Sequence, residues 1–282
     1  MTYLITGATG NVGKYVLEKL TDKEVFAGIS SEASVSKLPE STQYRIIRFG
    51  EPSTYKSALK NIDCIFLMRP PHISNIKRDI VPFLEAAKAQ KIKHIVFLSL
   101  AGAEKNIFVP HHKVEAAIKA LSIPYTFIRP TFFMQNLSTT HLEEIRNKNE
   151  IIVPAGKGKT NFIDVRDIAA ASAEIIGKSE HYNKGYTITG QKSYTYFEIT
   201  LIMSDVLKMN ISYNNPSMIR FYRLMRKKGY QRKFIFVMIG IYATTKFGLA
   251  DINTEELQGL INREPISFRE FLKDYQEIFK NN

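Results

Sequence analysis

Three glycines, Gly7, Gly10 and Gly13, stand three residues apart directly behind the apolar run Tyr3-Leu4-Ile5. This spacing suits a turn that must come close to a phosphate. Without Cβ atoms the backbone can approach the ligand, and a following helix offers free N–H groups at its positive end. A GxxGxxG run alone is weak, since glycines serve turns of every kind. The context this fingerprint requires is present here: a strand-like run before it, and after it an amphipathic segment with Val12, Val16, Leu17 and Leu20 on one face. The run therefore predicts a dinucleotide pyrophosphate cradle, with Thr9 and Asn11 as further donors. A second group with chemistry to offer is His111-His112-Lys113. As a neutral or protonated imidazole, with an ordinary pKa of about 6.5, His111 is able to meet negative charge developing on a substrate oxygen. The plain alternative for all three is a polar helix start.

The type of dinucleotide is read at the end of the second strand, about 20 residues beyond the glycines, where a carboxylate usually holds the ribose 2′-hydroxyl of NAD. Here the tip reads Gly28-Ile29-Ser30-Ser31, with Glu32 coming late and Lys37 the nearest cation. With no carboxylate to repel a 2′-phosphate, NADP is expected over NAD.

These groups need elements to position them. Apolar runs rich in Ile, Val, Phe and Tyr predict strands at 3–6, 24–29, 44–48, 63–68, 94–99 and 125–129, separated by segments of helical period. Continuous apolar strands alternating with helices imply a parallel sheet covered on both faces, a doubly wound α/β fold of the Rossmann type. After Arg129 the rhythm changes. Residues 132–148 read as helix, 151–153 and 186–189 as short strands, and most of 194–280 as helix. The expectation is a nucleotide-binding domain over 1–150, with core strands to 130, and a smaller, mainly helical substrate lobe over 151–282 with short segments returning to the sheet. Pro130, Thr131, Phe132, Phe133 and Met134 follow the sixth strand, where open α/β sheets receive ligands, and would furnish a substrate slot or, equally, a core.

Composition sets the remaining bounds. With 282 residues, 44% hydrophobic and 23% charged, the chain reads as an ordinary globular protein. Its single cysteine, Cys64, provides neither an internal disulfide nor a thiolate metal site, so no metal is expected. A reducing compartment fits, no basic-then-apolar leader is evident, and a cytoplasmic location is expected. The net charge of +12 favours anionic partners, and much of it is local: seven lysines and arginines crowd residues 220–233 without an acid. No helix-turn-helix, zinc or stacking signature accompanies them, so nucleic acid is not expected and a solvated face is the plain reading. The apolar run 234–242 behind them is too short for a spanning helix, which needs about 20 residues. No integral membrane association is expected, although flanking cations also suit a helix lying on a membrane surface.

Several stretches together resemble the NmrA-like group of atypical short-chain dehydrogenases. They are Gly7-Ala8-Thr9-Gly10-Asn11-Val12-Gly13, Arg69-Pro70-Pro71, Val96-Phe97-Leu98-Ser99, Tyr125-Thr126-Phe127-Ile128-Arg129-Pro130 and Phe162-Ile163-Asp164-Val165-Arg166-Asp167. The resemblance implies an NAD(P)-binding domain with a small C-terminal lobe, and two kinds of function: NADPH-dependent quinone reductases, and redox-sensing regulators that bind the nucleotide without turnover. It places Gly7, Thr9, Gly10, Asn11, Val12 and Gly13 at the pyrophosphate and Ser30 and Ser31 at the adenosine ribose. Arg69 and Pro70 fall in the fourth-strand loop, and Ser99 at the end of the fifth strand. Two positions bear on the pattern: Arg48-Phe49-Gly50-Glu51 stands where relatives commonly carry an Asp near the adenine, and His111 stands where they often carry Lys or His.

Ordinary short-chain dehydrogenases use a Tyr four residues before a Lys as their acid–base pair. Residues 103–120 contain no tyrosine, and the one Tyr-x-x-x-Lys match, Tyr242 to Lys246, lies in an apolar stretch of the C-terminal lobe. His111 is therefore the candidate donor. The resulting expectation is an NADPH-dependent reductase of quinones or similar conjugated carbonyls, acting on a small-molecule substrate by hydride transfer. The alternative is a non-catalytic NADP(H) sensor acting through a protein partner.

Overall fold

In the computed structural model, which describes residues 1–280, the six apolar runs become strands β1 (Thr2–Thr6), β2 (Glu24–Ile29), β3 (Tyr44–Ile46), β4 (Cys64–Met68), β5 (His94–Leu98) and β6 (Tyr125–Pro130). The edge strand Lys184–Ile188 joins them beside β6, and the order across the sheet is Lys184–Ile188, β6, β5, β4, β1, β2, β3. Every pairing is parallel. The chain runs outward from β1 to β3, then returns to β4 on the other side of β1. The carboxyl ends of β1 and β4 are thus a topological switch point, the place where doubly wound sheets take ligands.

Period-two patterning decides which side chains reach each face. Leu4 of β1, Ile65 and Leu67 of β4, and Ile95 and Phe97 of β5 share one buried cluster with Ile80, Phe83 and Leu84 around the helix Val81–Ala89, and with Val114 and Ile118 of the helix Pro110–Ala120. Contacts divide the chain into two units. The first comprises Met1–Pro130, Val165–Ile188 and Glu256–Arg263, so its leading segment ends at Pro130 instead of near residue 150. The chain leaves the sheet there, and the first unit is completed by the returning segments, including the helix Val165–Ile175, which packs on α1 (Gly13–Lys19).

The second unit comprises Thr131–Asp164, Thr189–Glu255 and the segment from Glu264 onward. Its core gathers Phe162, Tyr196, Phe221, Tyr242, Phe268 and Phe271. Helices Tyr196–Leu207 and Phe268–Asp274 each begin with a capping box, Thr195 with Glu198 and Ser267 with Glu270. One expectation fails here. The stretch 132–148 is not one helix: Phe132–Phe133 is a short strand paired with Phe162 and Ile163, Met134–Asn136 is a 3-10 turn, and only Leu142–Lys148 is α-helical. Two adjacent aromatics fit a pleated surface better than a helix, and a neighbouring strand was available to pair with them.

Two fully buried histidines make the fold acid-sensitive. His94 Nδ1 accepts the Gly177 N–H at 3.0 Å, and Nε2 lies 2.9 Å from Thr126 Oγ1, whose own proton goes to the His181 carbonyl at 2.6 Å. The ring is therefore neutral with its proton on Nε2, and burial pushes its pKa down to about 4. In the second unit burial likewise pushes His141, 2.8 Å from the Tyr242 hydroxyl, down to about 4. An unfolded histidine takes its proton near pH 6.5, so below that pH the unfolded chain binds more protons than the native one. The stabilisation is complete above pH 6.5 and is lost as pH falls towards 4. Calorimetry is expected to show Tm falling between pH 7 and 5 with uptake of roughly two or more protons on unfolding; a flat Tm with no proton uptake contradicts this.

Candidate active site

The glycine turn sits at the switch point. Thr6 closes β1, and its Oγ1 donates to the Phe66 carbonyl at 3.1 Å and accepts the Met68 N–H at 2.8 Å, fastening the ends of β1 and β4 together. Gly7 turns the chain at φ +64°, and the Gly10 N–H closes the turn on the Gly7 carbonyl at 2.9 Å. Gly13 opens α1 so close to that turn that a Cβ would lie 2.2 Å from the Gly7 oxygen. Only glycine lets the helix rest there. Val12 is buried and offers no side-chain cap, and no acid stands in the first turn of α1. Of the N–H groups at this end, that of Lys14 goes to the Gly10 carbonyl at 3.2 Å and that of Tyr15 to the Val12 carbonyl at 3.0 Å, while those of Asn11, Val12 and Gly13 have no acceptor among the described residues. A cradle without Cβ atoms in front of an uncapped helix fits a pyrophosphate, with Thr9 half-buried and Asn11 exposed beside it.

At the tip of β2 the structure adds a residue that sequence reading missed. Ser30 is exposed, and Ser31 opens the 3-10 helix Glu32–Lys37, its Oγ 3.2 Å from Ser34 Oγ. Arg48, just past β3, reaches across: its Nε donates to the Ser30 carbonyl at 2.8 Å, and its Nη1 lies 3.3 Å from Glu51 Oε2. The Glu32 carboxylate accepts from the Tyr44 hydroxyl at 2.9 Å. A guanidinium therefore stands beside the two serines. The signal was the arginine itself, but only the pairing of Ile29 with Ile46 brings it there.

After β4 and β5 the chain builds a third group. Arg69 folds over its own loop, its Nη1 donating to the carbonyls of Pro70 (2.9 Å), Pro71 (3.2 Å) and Ile73 (2.6 Å). Ser99 is buried and donates its hydroxyl proton to Glu115 Oε1 at 2.6 Å, so that proton is committed away from any ligand. Glu115 in turn receives Arg129 in a two-pronged contact, Nε to Oε1 at 3.0 Å and Nη2 to Oε2 at 2.7 Å, while Glu104 lies 3.4 Å from Arg129 Nε. The Arg129 guanidinium lies across the edge strand at Gly185, where a Cβ would come within 2.8 Å of it.

His111 lies one turn before Glu115 on the helix Pro110–Ala120, its ring centroid 6.0 Å from that of Phe97. Burial, and secondly the charge of Arg69, push its pKa down to about 3. It is neutral at physiological pH, and its buried Nδ1 has no hydrogen-bond partner among the described residues. The other two members of the cluster differ from it. His112 Nδ1 lies 2.8 Å from the Ala103 carbonyl, and Lys113 faces solvent.

The sequence pattern of the NmrA-like family matches residues 1–272. The chain belongs to the NmrA-like family. Among curated proteins it is similar to the prestalk A differentiation protein A of Dictyostelium discoideum (24% identity, covering 100% of this chain and 93% of that protein). It is also similar to the NAD(P)H azoreductase of Xenophilus azovorans (25% identity, 98% of each). Among solved structures, the NADPH-dependent quinone oxidoreductase of Escherichia coli in complex with NADPH superposes with a TM-score of 0.87 at 22% identity, covering 97% of this chain and 99% of that one.

In this NmrA-like chain the Tyr-x-x-x-Lys match belongs to the core. Tyr242 is buried, burial pushes its pKa well up, and its hydroxyl is taken by His141, while Lys246 is exposed. The residues expected to line a substrate slot fall in different surroundings. Pro130 is buried at the end of β6, and Thr131 Oγ1 bonds Asn161 Oδ1 at 3.1 Å. Phe132 packs edge-on against Phe162 at 5.3 Å and Met134 is 1% exposed within the second unit's core, so both serve packing. Phe133 is half-buried and is not a member of that core cluster.

Removing one partner from a buried ion pair strands the other charge. Glu115→Ala is expected to lower stability by about 3–5 kcal/mol in urea denaturation; a loss under about 1 kcal/mol would mean that Arg129 finds water or another partner without cost.

Proposed function

We propose that this protein is an NADPH-dependent reductase of quinones or similar conjugated carbonyls, acting on a small-molecule substrate, with NAD as the lesser cofactor. The observation that carries the reading is a pairing at the carboxyl ends of β1, β4 and β5. There an uncapped glycine turn follows β1, and the helix after β5 carries a half-buried, neutral imidazole whose buried Nδ1 has no partner among the described residues. The azoreductase named for NAD(P)H and the quinone oxidoreductase holding NADPH support it by likeness.

The turn at Gly7, Gly10 and Gly13 would receive the pyrophosphate on backbone N–H groups, with Ser30, Ser31 and Arg48 at the 2′-phosphate end. When bound, the reduced nicotinamide supplies a hydride for the acceptor. The chain's own contribution is then orientation and one donor. His111 would set an imidazole N–H against the oxygen that gains negative charge. Because burial holds the His111 pKa at about 3, it acts as a neutral donor, and the donor persists as pH rises through the ordinary histidine range.

Following nicotinamide absorbance with a panel of quinones, consumption of NADPH is expected. His111→Ala should lower kcat by roughly tenfold or more with NADPH affinity nearly unchanged, and the wild-type kcat should show no histidine titration near pH 6.5. Turnover equal in the mutant removes the donor role. Binding of the nucleotide with no acceptor reduced replaces the enzyme reading with that of a redox sensor acting through a protein partner.

A separate prediction concerns Arg48. Arg48→Gln should weaken NADPH binding by roughly tenfold or more, as loss of a charge-assisted contact does, and leave NADH binding unchanged by calorimetry. Equal effects on both nucleotides, or none, remove Arg48 from the 2′-phosphate.

A further inference from the structure

Between Asp205 and Asp251 the chain carries nine lysines and arginines and no acid, against a whole-chain excess of +12. Lys208 pairs with Asp205, and Lys228 with Glu143 and Glu144. The other seven cations of the stretch have no carboxylate partner among the described residues. Charge of one sign is thus concentrated on the helices Met218–Lys227 and Arg232–Lys246 of the second unit.

The second of these helices is apolar on two sides. Ile235, Met238, Tyr242 and Thr245, spaced by three and four residues, are buried. On the other side Phe234, Phe236, Val237 and Ile241 are 42%, 62%, 57% and 43% exposed. The aromatic surface continues into the neighbouring helix and turn: the Phe236 ring is 5.6 Å from Tyr222, and Phe234 is 5.6 Å from Tyr230. A helix that is apolar all round normally has both sides covered, and a contiguous exposed apolar patch marks an interaction site. Cations bracket it, Arg232 and Lys233 at its start and Lys246 at its end. Its 15 residues span about 22 Å, and no helix among the described residues is long and apolar enough to cross a membrane.

The charge decides what covers this face. A second copy would set seven uncompensated cations against seven more. An acidic protein would match the charges but would have to offer an apolar groove among its acids. An anionic bilayer presents phosphates at the level of the cations and acyl chains beneath them, matching both features at once. We propose that the exposed side of Arg232–Lys246, with the cations around it, docks this protein peripherally on anionic phospholipid, the helix lying in the plane of the interface.

The chain has no tryptophan, so Phe236→Trp places a single reporter on the docking face. With phosphatidylglycerol-containing vesicles its emission is expected to shift to the blue and to be quenched by brominated acyl chains, with neither change on pure phosphatidylcholine. The wild-type full chain should co-sediment with the same anionic vesicles and dissociate in high salt. Two double variants, Val237→Ser with Ile241→Ser and Arg232→Gln with Lys233→Gln, should each lower partitioning by roughly tenfold or more with thermal midpoint and NADPH binding unchanged. Absence of vesicle binding at low salt overturns the proposal, as does binding indifferent to both double variants. So does a dimer abolished by Ile241→Ser, or capture of an acidic protein, when no vesicle binding accompanies it.

Discussion

The buried carboxylate of Glu115 holds the first unit's site together. Charges taken out of water are tolerated only when geometry is close to ideal and the remaining lone pairs are filled. Arg129 meets both oxygens and Ser99 adds its hydroxyl, so the helix Pro110–Ala120 is tied to the ends of β5 and β6 at one register. His111 inherits its place from that register, one turn ahead of the carboxylate. Its surroundings then set its chemistry, because burial and the nearby Arg69 both disfavour a second proton on the ring.

A different constraint governs the nucleotide end. In a parallel sheet every strand delivers its carboxyl end to the same side, so residues distant in the chain converge there without further design. The glycine turn follows from backbone sterics alone, since Gly13 must leave room for the Gly7 carbonyl. The corner beside Ser30 follows instead from strand pairing: β3 lies beside β2, and Arg48 is carried to a carbonyl 18 residues away. The tip of β2 carries no charged side chain of its own at Ser30 and Ser31, and the segment after β3 sets a guanidinium beside it.

In the second unit the same residue types serve opposite ends. Tyr242 matches a catalytic spacing but is buried, with its hydroxyl on His141, whereas Phe236, Val237 and Ile241, six, five and one positions before it on the same helix, are apolar and exposed. Helical period assigns each to its side. The exposed side lies among cations that find no carboxylate, and this combination, not the apolar run by itself, is what separates a docking face from ordinary surface.

What could be read in the residues alone was local. Strand runs of alternating or continuous apolar character, the glycine turn with its following amphipathic helix, the missing tyrosine before the fifth-strand helix and the acid-free basic stretch are all properties of neighbours along the chain, where sterics and periodicity act over a few positions. Only the tertiary structure decided the rest: Arg48 beside Ser30, Glu115 clasped by Arg129, His111 held neutral, Phe132 and Met134 turned into core, and 132–148 divided between strand, turn and helix. The physical reason is common to them. Each depends on which distant segment packs alongside and how much water that packing excludes, and local sequence pattern carries neither quantity.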